Sequence, residues 1–122
     1  MLKVLVVDDQ PLIRSALKSL LGLEKDMEVI AEAADGLEAS RIAADLKPDV
    51  ILMDISMPIL NGIEATKAIL EAASSHRPKV IMLTTFEEDR LIKESLSAGA
   101  SGFLGKTANA DEIAAAIRKV AA

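Results

Sequence analysis

Five side chains carry the chemistry this sequence can do: Asp8, Asp9, Asp54, Thr84 and Lys106. Each stands at the end of a short apolar run. Asp8-Asp9 follow Lys3-Val4-Leu5-Val6-Val7, and Asp54 closes Val50-Ile51-Leu52-Met53. Thr84-Thr85 follow Lys79-Val80-Ile81-Met82-Leu83, and Lys106 follows Ser101-Gly102-Phe103-Leu104-Gly105. If these run ends lie side by side, three crowded carboxylates repel one another unless a cation joins them, and an all-oxygen ligand set suits a hard divalent ion such as Mg2+. Mg2+ keeps waters and is commonly completed by phosphate oxygens, so a phosphoryl group is the expected second component. A lysine and a hydroxyl at the same point supply positive charge and a hydrogen-bond donor for it. A carboxylate so placed is a candidate nucleophile whose product would be an acyl phosphate. Taken singly, each residue has a plainer reading: a solvated carboxylate, a surface lysine, an ordinary strand threonine.

That chemistry requires the run ends to meet, and the element pattern predicts that they do. The Val50–Asp54 run is cut off by Met57-Pro58 and Asn61-Gly62, too short for a helix, and reads as a central strand buried on both faces. Lys3–Val7 reads as the first strand. A helix opened by Pro11 follows, with Ile13, Ala16, Leu17, Leu20 and Leu21 on its core stripe up to Gly22, and with Leu12 off that stripe. Met27–Ala33, flanked by Glu28 and Glu32, reads as a more peripheral strand. A helix over 37–46 ends before Pro48, which pushes its predecessor out of the helical region. Ile63, Thr66, Ile69 and Leu70 mark the next helical face, and residues 72–78 a small polar connector in which His76 is expected to be exposed. The fourth strand runs over 79–83. Glu87-Glu88-Asp89 reads as a solvated acidic start to a helix reaching Ala98, capped by Gly99. A fifth strand over 101–105 and a helix over 110–121 with Ile113, Ile117 and Val120 on one side complete the pattern.

Strand and helix thus alternate five times, which predicts an α/β fold with a parallel sheet and helices on both faces. For five strands the flavodoxin-like order 2-1-3-4-5 is the natural choice, and it sets the first and third strands side by side. Asp8, Asp9 and Asp54 then converge at the carboxyl edge, with Thr84 and Lys106 arriving from strands four and five.

With 122 residues, 51% hydrophobic, the chain reads as one domain over residues 1–122. The absence of cysteine excludes a disulfide framework and thiolate metal sites. A net charge of -5 argues against the basic surface that nucleic-acid binding needs, and two phenylalanines as the only aromatics remove the stacking platforms of a single-strand binder. No apolar run approaches the length of a membrane span, and no cleavable leader is recognisable after Met1, so a cytoplasmic protein without membrane contact is expected.

The chain resembles the receiver domain of two-component response regulators from Lys3 to Val120. The resemblance rests on Asp8-Asp9, on Asp54-Ile-Ser-Met-Pro58 followed by Asn61-Gly62, on Leu83-Thr84-Thr85 and on Gly102-Phe103-Leu104-Gly105-Lys106. It implies a CheY-like fold with Asp54 as phosphoacceptor. It further implies that Asp9, Asp54 and the backbone carbonyl of Ser56 bind Mg2+ directly and that Asp8 acts through a water. Thr84 and Lys106 would bind the phosphoryl group, and Phe103 would be a rotamer switch that follows Thr84. Asp9-Gln-Pro-Leu-Ile-Arg14 and Leu83-Thr-Thr-Phe86 are similar to the NarL/FixJ subfamily, whose members usually carry a LuxR-type helix-turn-helix output domain; none is present in this chain. Thr107 stands where many receivers have proline after the lysine, which argues against a cis peptide there. The implied partners are a sensor histidine kinase and, on phosphorylation, a second copy, with Leu12 and the first and last helices as the expected docking face; DNA would be reached only through the missing output domain.

Three other functions compete. An aspartate-nucleophile phosphatase shares the chemistry, but Ser56 stands where its second acid would be, and no cap insertion could enclose a substrate. A degenerate receiver acting as a pure interaction module would not need all of Asp8, Asp9, Asp54, Thr84 and Lys106. A flavodoxin-like cofactor binder would meet carboxylates where it needs a phosphate cradle. The sequence therefore favours a signalling switch that catalyses its own phosphotransfer and dephosphorylation and is not a turnover enzyme.

Overall fold

A computed structural model of the chain describes residues 1–57, 59–73, 75–85 and 89–122. Among these residues five strands alternate with five helices: β1 (Leu2–Val7), α1 (Pro11–Leu21), β2 (Met27–Ala33), α2 (Gly36–Leu46), β3 (Val50–Asp54), α3 (Gly62–Ala72), β4 (Lys79–Thr84), α4 (Asp89–Ser97), β5 (Gly102–Gly105) and α5 (Ala110–Ala121). The sheet is parallel throughout and ordered β2-β1-β3-β4-β5. Every residue of β3 is buried, because apolar layers cover both its faces.

Alternate side chains along the strands feed two cores. Val4, Val6, Leu52, Ile81 and Leu83 pack with Leu17 and Leu21 of α1 and Ile113 and Ile117 of α5. Leu5, Val7, Met53, Val80 and Met82 pack with Ala39 and Ala43 of α2, Ala65 and Ile69 of α3, and Leu91 of α4. One irregularity breaks the alternation. Val4 pairs with Val29 but Leu5 pairs with Ala31, so Ile30 bulges and the rest of β2 is turned over. Val29 therefore faces α1 and α5, whereas Ala31 and Ala33 face α2 and α3.

The helix starts are specified locally. Asp35 accepts the Glu38 N–H at 2.8 Å, and Asn61 and Asn109 each form a reciprocal capping box, with Glu64 and Glu112 respectively. Where α2 ends, Lys47 adopts a left-handed conformation with φ 49° rather than the extended one expected before Pro48. On α1 the buried row is Leu17 and Leu21, with Ile13 half-buried; Ala16 and Leu20, expected on the core stripe, are exposed. The contact with the sheet is a narrow i, i+4 row, and small or branched apolar residues beside it stay in water. His76 also departs from expectation. It is half-buried, and its Nε2 lies 2.8 Å from the Pro48 carbonyl, joining the loops before β3 and β4. Pro58, Phe86, Glu87 and Glu88 lie outside the described residues, and with them most of the expected acidic start of α4.

Candidate functional site

Because β1 and β3 are neighbours, their two ends deliver three carboxylates to one place. Asp8 and Asp54 are buried and Asp9 is exposed, and one carboxylate oxygen from each lies within 4.8 Å of the others. Each is held by local geometry. Asp8 Oδ1 accepts the Gln10 N–H at 2.9 Å, and the Asp8 N–H donates to the Ala33 carbonyl at 3.1 Å. Asp54 Oδ1 accepts the Ser56 N–H at 3.3 Å. Behind Asp54 the chain doubles back so tightly that a Cβ on Gly62 would stand 2.1 Å from the Asp54 carbonyl oxygen. Only glycine fits there.

Lys106 reaches across from the end of β5. Its Nζ lies 3.0 Å from Asp8 Oδ2 and 3.1 Å from Asp54 Oδ1, and its side chain is 13% exposed. Asp8 Oδ2 is in charge contact with the ammonium but has no aligned hydrogen bond, and Asp54 Oδ2 is buried with no hydrogen-bond partner among the described residues. Lys106 thus serves two buried acids, with the exposed Asp9 beside them. Burial, and then the charges of Asp8 and Asp9, push the Asp54 carboxyl up to about 6, against the pull of Lys106. Burial works to lower the Lys106 ammonium, but its contacts with Asp8 and Asp54 outweigh that and hold it above its ordinary value.

This donor set fits a divalent cation: oxygen ligands only, an excess of negative charge, and a buried carboxylate oxygen without a partner. Asp8, Asp9 and Asp54 would hold the ion. Ser56 lines the same cleft as Asp9, together with Asn61, Ile63 and Leu91. Thr84 is buried at the end of β4 and tied to the next strand, its carbonyl accepting the Lys106 N–H at 2.8 Å. Phe103 is partly buried beneath this edge, paired in register with Met82 and packed on the α2–α3 side of the sheet.

Arg14 was not among the expected site residues, yet it touches the acid pair. Its Nη1 donates to the Asp8 carbonyl at 2.7 Å, and its Nε lies 3.5 Å from Glu32 Oε1 on β2. The one available signal was an arginine in the first turn of a helix beginning just after the acid pair.

Residues 4–118 match the family model described as the response regulator receiver domain. The transcriptional regulatory proteins LnrK and LiaR of Bacillus subtilis (strain 168) are each 48% identical to this chain. The LnrK match covers 98% of the chain and 54% of LnrK, and the LiaR match 97% and 55%. The chain therefore spans about half the length of these relatives. Among solved structures, the signal receiver domain of the putative response regulator NarL from Mycobacterium tuberculosis superposes with a TM-score of 0.93 at 31% identity, over 98% of this chain and 95% of that one. The response regulator domain of Thermotoga maritima CheB gives 0.90 at 40% identity, over 99% and 96%. With its sheet order, its carboxyl-edge acids and a family match over nearly its whole length, the chain belongs to the response regulator receiver domains.

Proposed function

We propose that this domain is a phosphorylation-controlled switch in which an Asp54 carboxylate oxygen attacks the phosphorus of a phosphohistidine on a sensor kinase. The new bond is the O–P bond of an acyl phosphate; the bond broken is N–P, and the departing imidazole takes up a proton. Asp8, Asp9, Asp54 and the Ser56 carbonyl hold Mg2+, which when bound offsets the charge of the phosphoryl oxygens. Lys106 stands within reach of the Asp54 oxygens and serves as counter-charge to the new dianion. Thr84 donates its hydroxyl to the phosphoryl group, and Phe103 follows it inward, carrying the change to the surface. Hydrolysis of the acyl phosphate resets the switch; the domain turns over no external substrate beyond its own modification. The output, by analogy with LnrK and LiaR, is a transcriptional one, reached through a DNA-binding domain not contained in this chain, with a second copy as partner after phosphorylation. Leu12, 82% exposed at the start of α1 beside the acid pair, supports α1 as the docking face. No helix among the described residues is long and apolar enough to cross a membrane.

The observation that carries this reading is the buried, partnerless oxygen of Asp54 beside two further carboxylates and one lysine. Intact-mass analysis after incubation with MgCl2 and acetyl phosphate tests it. A single phosphoryl adduct that needs Mg2+ and is missing from Asp54→Asn is expected. An adduct that persists in Asp54→Asn, or none in the wild type with either acetyl phosphate or a phosphorylated kinase, overturns it.

A further inference from the structure

Of the acid pair only Asp9 is exposed to water, and the backbone of the pair is anchored by a side chain outside the cluster. Arg14 is 18% exposed, and its guanidinium bridges the Asp8 carbonyl at 2.7 Å and Glu32 at 3.5 Å. Glu32 also lies 3.8 Å from Lys18, one helical turn further along α1. Glu32 stands on this side of the sheet only because of the bulge at Ile30. Had β2 kept strict alternation from Met27, residue 32 would face α2 and α3, and Arg14 would have no acid partner.

The peptide unit is planar, so fixing the oxygen of the Asp8 carbonyl fixes the plane that also contains the N–H and Cα of Asp9. Asp8 is held by its own contacts to Gln10, Ala33 and Lys106. Asp9, whose side chain is exposed, makes no side-chain hydrogen bond or ion pair among the described residues. Only its Cα–Cβ direction is therefore set, by its backbone, and Arg14 is the one side chain among the described residues that grips the carbonyl of the Asp8–Asp9 peptide. We propose that Arg14, oriented by Glu32, is a positioning residue for divalent-cation binding: it locks the Asp8–Asp9 peptide so that Asp9 enters the site preorganised. This inference rests on reading the acid cluster as a cation site.

The sign of the effect separates it from a purely electrostatic role. Removing a positive charge near a cation site should by Coulomb's law alone tighten cation binding, whereas losing the lock should weaken it. Calorimetric titration of the unphosphorylated domain with MgCl2 reads this directly. Arg14→Gln is expected to weaken Mg2+ binding roughly tenfold, as loss of an outer support does elsewhere. Arg14→Lys keeps the charge but not the planar fork, so it should fall between the two. Glu32→Gln, which leaves the guanidinium unanchored, should weaken binding less than Arg14→Gln does. An Arg14→Gln protein that binds Mg2+ as tightly as the wild type, or more tightly, overturns the proposal. If Arg14→Gln does not fold, wild-type affinity in Arg14→Lys overturns it equally. A wild type that takes the Asp54 adduct with Mg2+ while Arg14 proves irrelevant leaves the switch intact and removes only this inference; a wild type that binds no Mg2+ removes both.

Discussion

Two charge clusters sit at opposite ends of this sheet, each with more acid than base, and they behave oppositely. At the amino end, Arg118 of α5 reaches Asp26 through two hydrogen bonds, at 2.7 and 2.8 Å, and Glu24 at 3.0 Å. Water reaches all three. The hydrogen bond from Arg118 holds the Asp26 carboxyl below its ordinary value, and Asp26 and Glu24 hold the guanidinium above its own. At the carboxyl end, Asp54 is pushed the other way, because burial removes solvation that the single Lys106 does not replace. The same residue types make a satisfied clasp where solvent screens them and an unsatisfied receptor where it does not. A fold can thus keep one cluster for tying elements together and leave another with buried carboxylate oxygens unsatisfied.

Breaking the buried cluster should have the largest effect. Lys106→Met leaves Asp8 and Asp54 side by side with no counter-charge, and should cost about 3 kcal/mol in urea denaturation at neutral pH without divalent ions. Excess MgCl2 should recover much of that loss. A variant as stable as the wild type under these conditions would mean that solvent already screens the acids.

Asp54→Asn should act in the opposite direction. The Asp54 carboxyl titrates near 6 when folded, against 3.8 as its ordinary value. The folded state binds this proton more tightly, so the stability the neutral form lends is complete below pH 3.8 and lost as the pH rises through about 6. Asparagine undergoes no such loss. The variant should therefore match the wild type in acid and exceed it above neutrality by on the order of 1–3 kcal/mol in the absence of Mg2+, as thermal melts across that range would show. Added MgCl2 should narrow or reverse the gap. The smallest effect belongs to the exposed clasp: Arg118→Gln should lower the melting temperature only slightly, and less still at high ionic strength. A large, salt-insensitive drop would show that solvent does not screen the exposed cluster.

The strands, and the convergence of Asp8, Asp9, Asp54 and Lys106 at their ends, were legible in the sequence because each signal is one of type and order. An apolar run cut short by turn residues reads as a strand, and a charged residue at its end reads as a site residue once the strand order is known. What escaped depends on geometry between elements. Ala16 and Leu20 have the composition of core residues, but only packing tells the row of Leu17 and Leu21 from its neighbours. The bulge at Ile30 leaves no mark in a run of Val, Ile and Ala, yet it decides which face receives Glu32. His76 sits among small polar residues as a solvated side chain would, and only the fold brings the Pro48 carbonyl to it. Arg14 escaped for the same reason: its acceptor is a backbone carbonyl, which no residue type announces.

The strand order also has a consequence for the newly made chain. Asp8 arrives on the first strand, Asp54 on the third and Lys106 on the last, and none touches another until β1 has paired with β3 and β5 has closed on β4. No contiguous fragment short of nearly the whole domain contains the site. In a chain still on the ribosome, or one arrested part-way through folding, these carboxylates stand apart in water instead of forming a cluster. An intact acid cluster is thus a certificate of completed folding, since its lysine stands at the end of the last strand in the sequence.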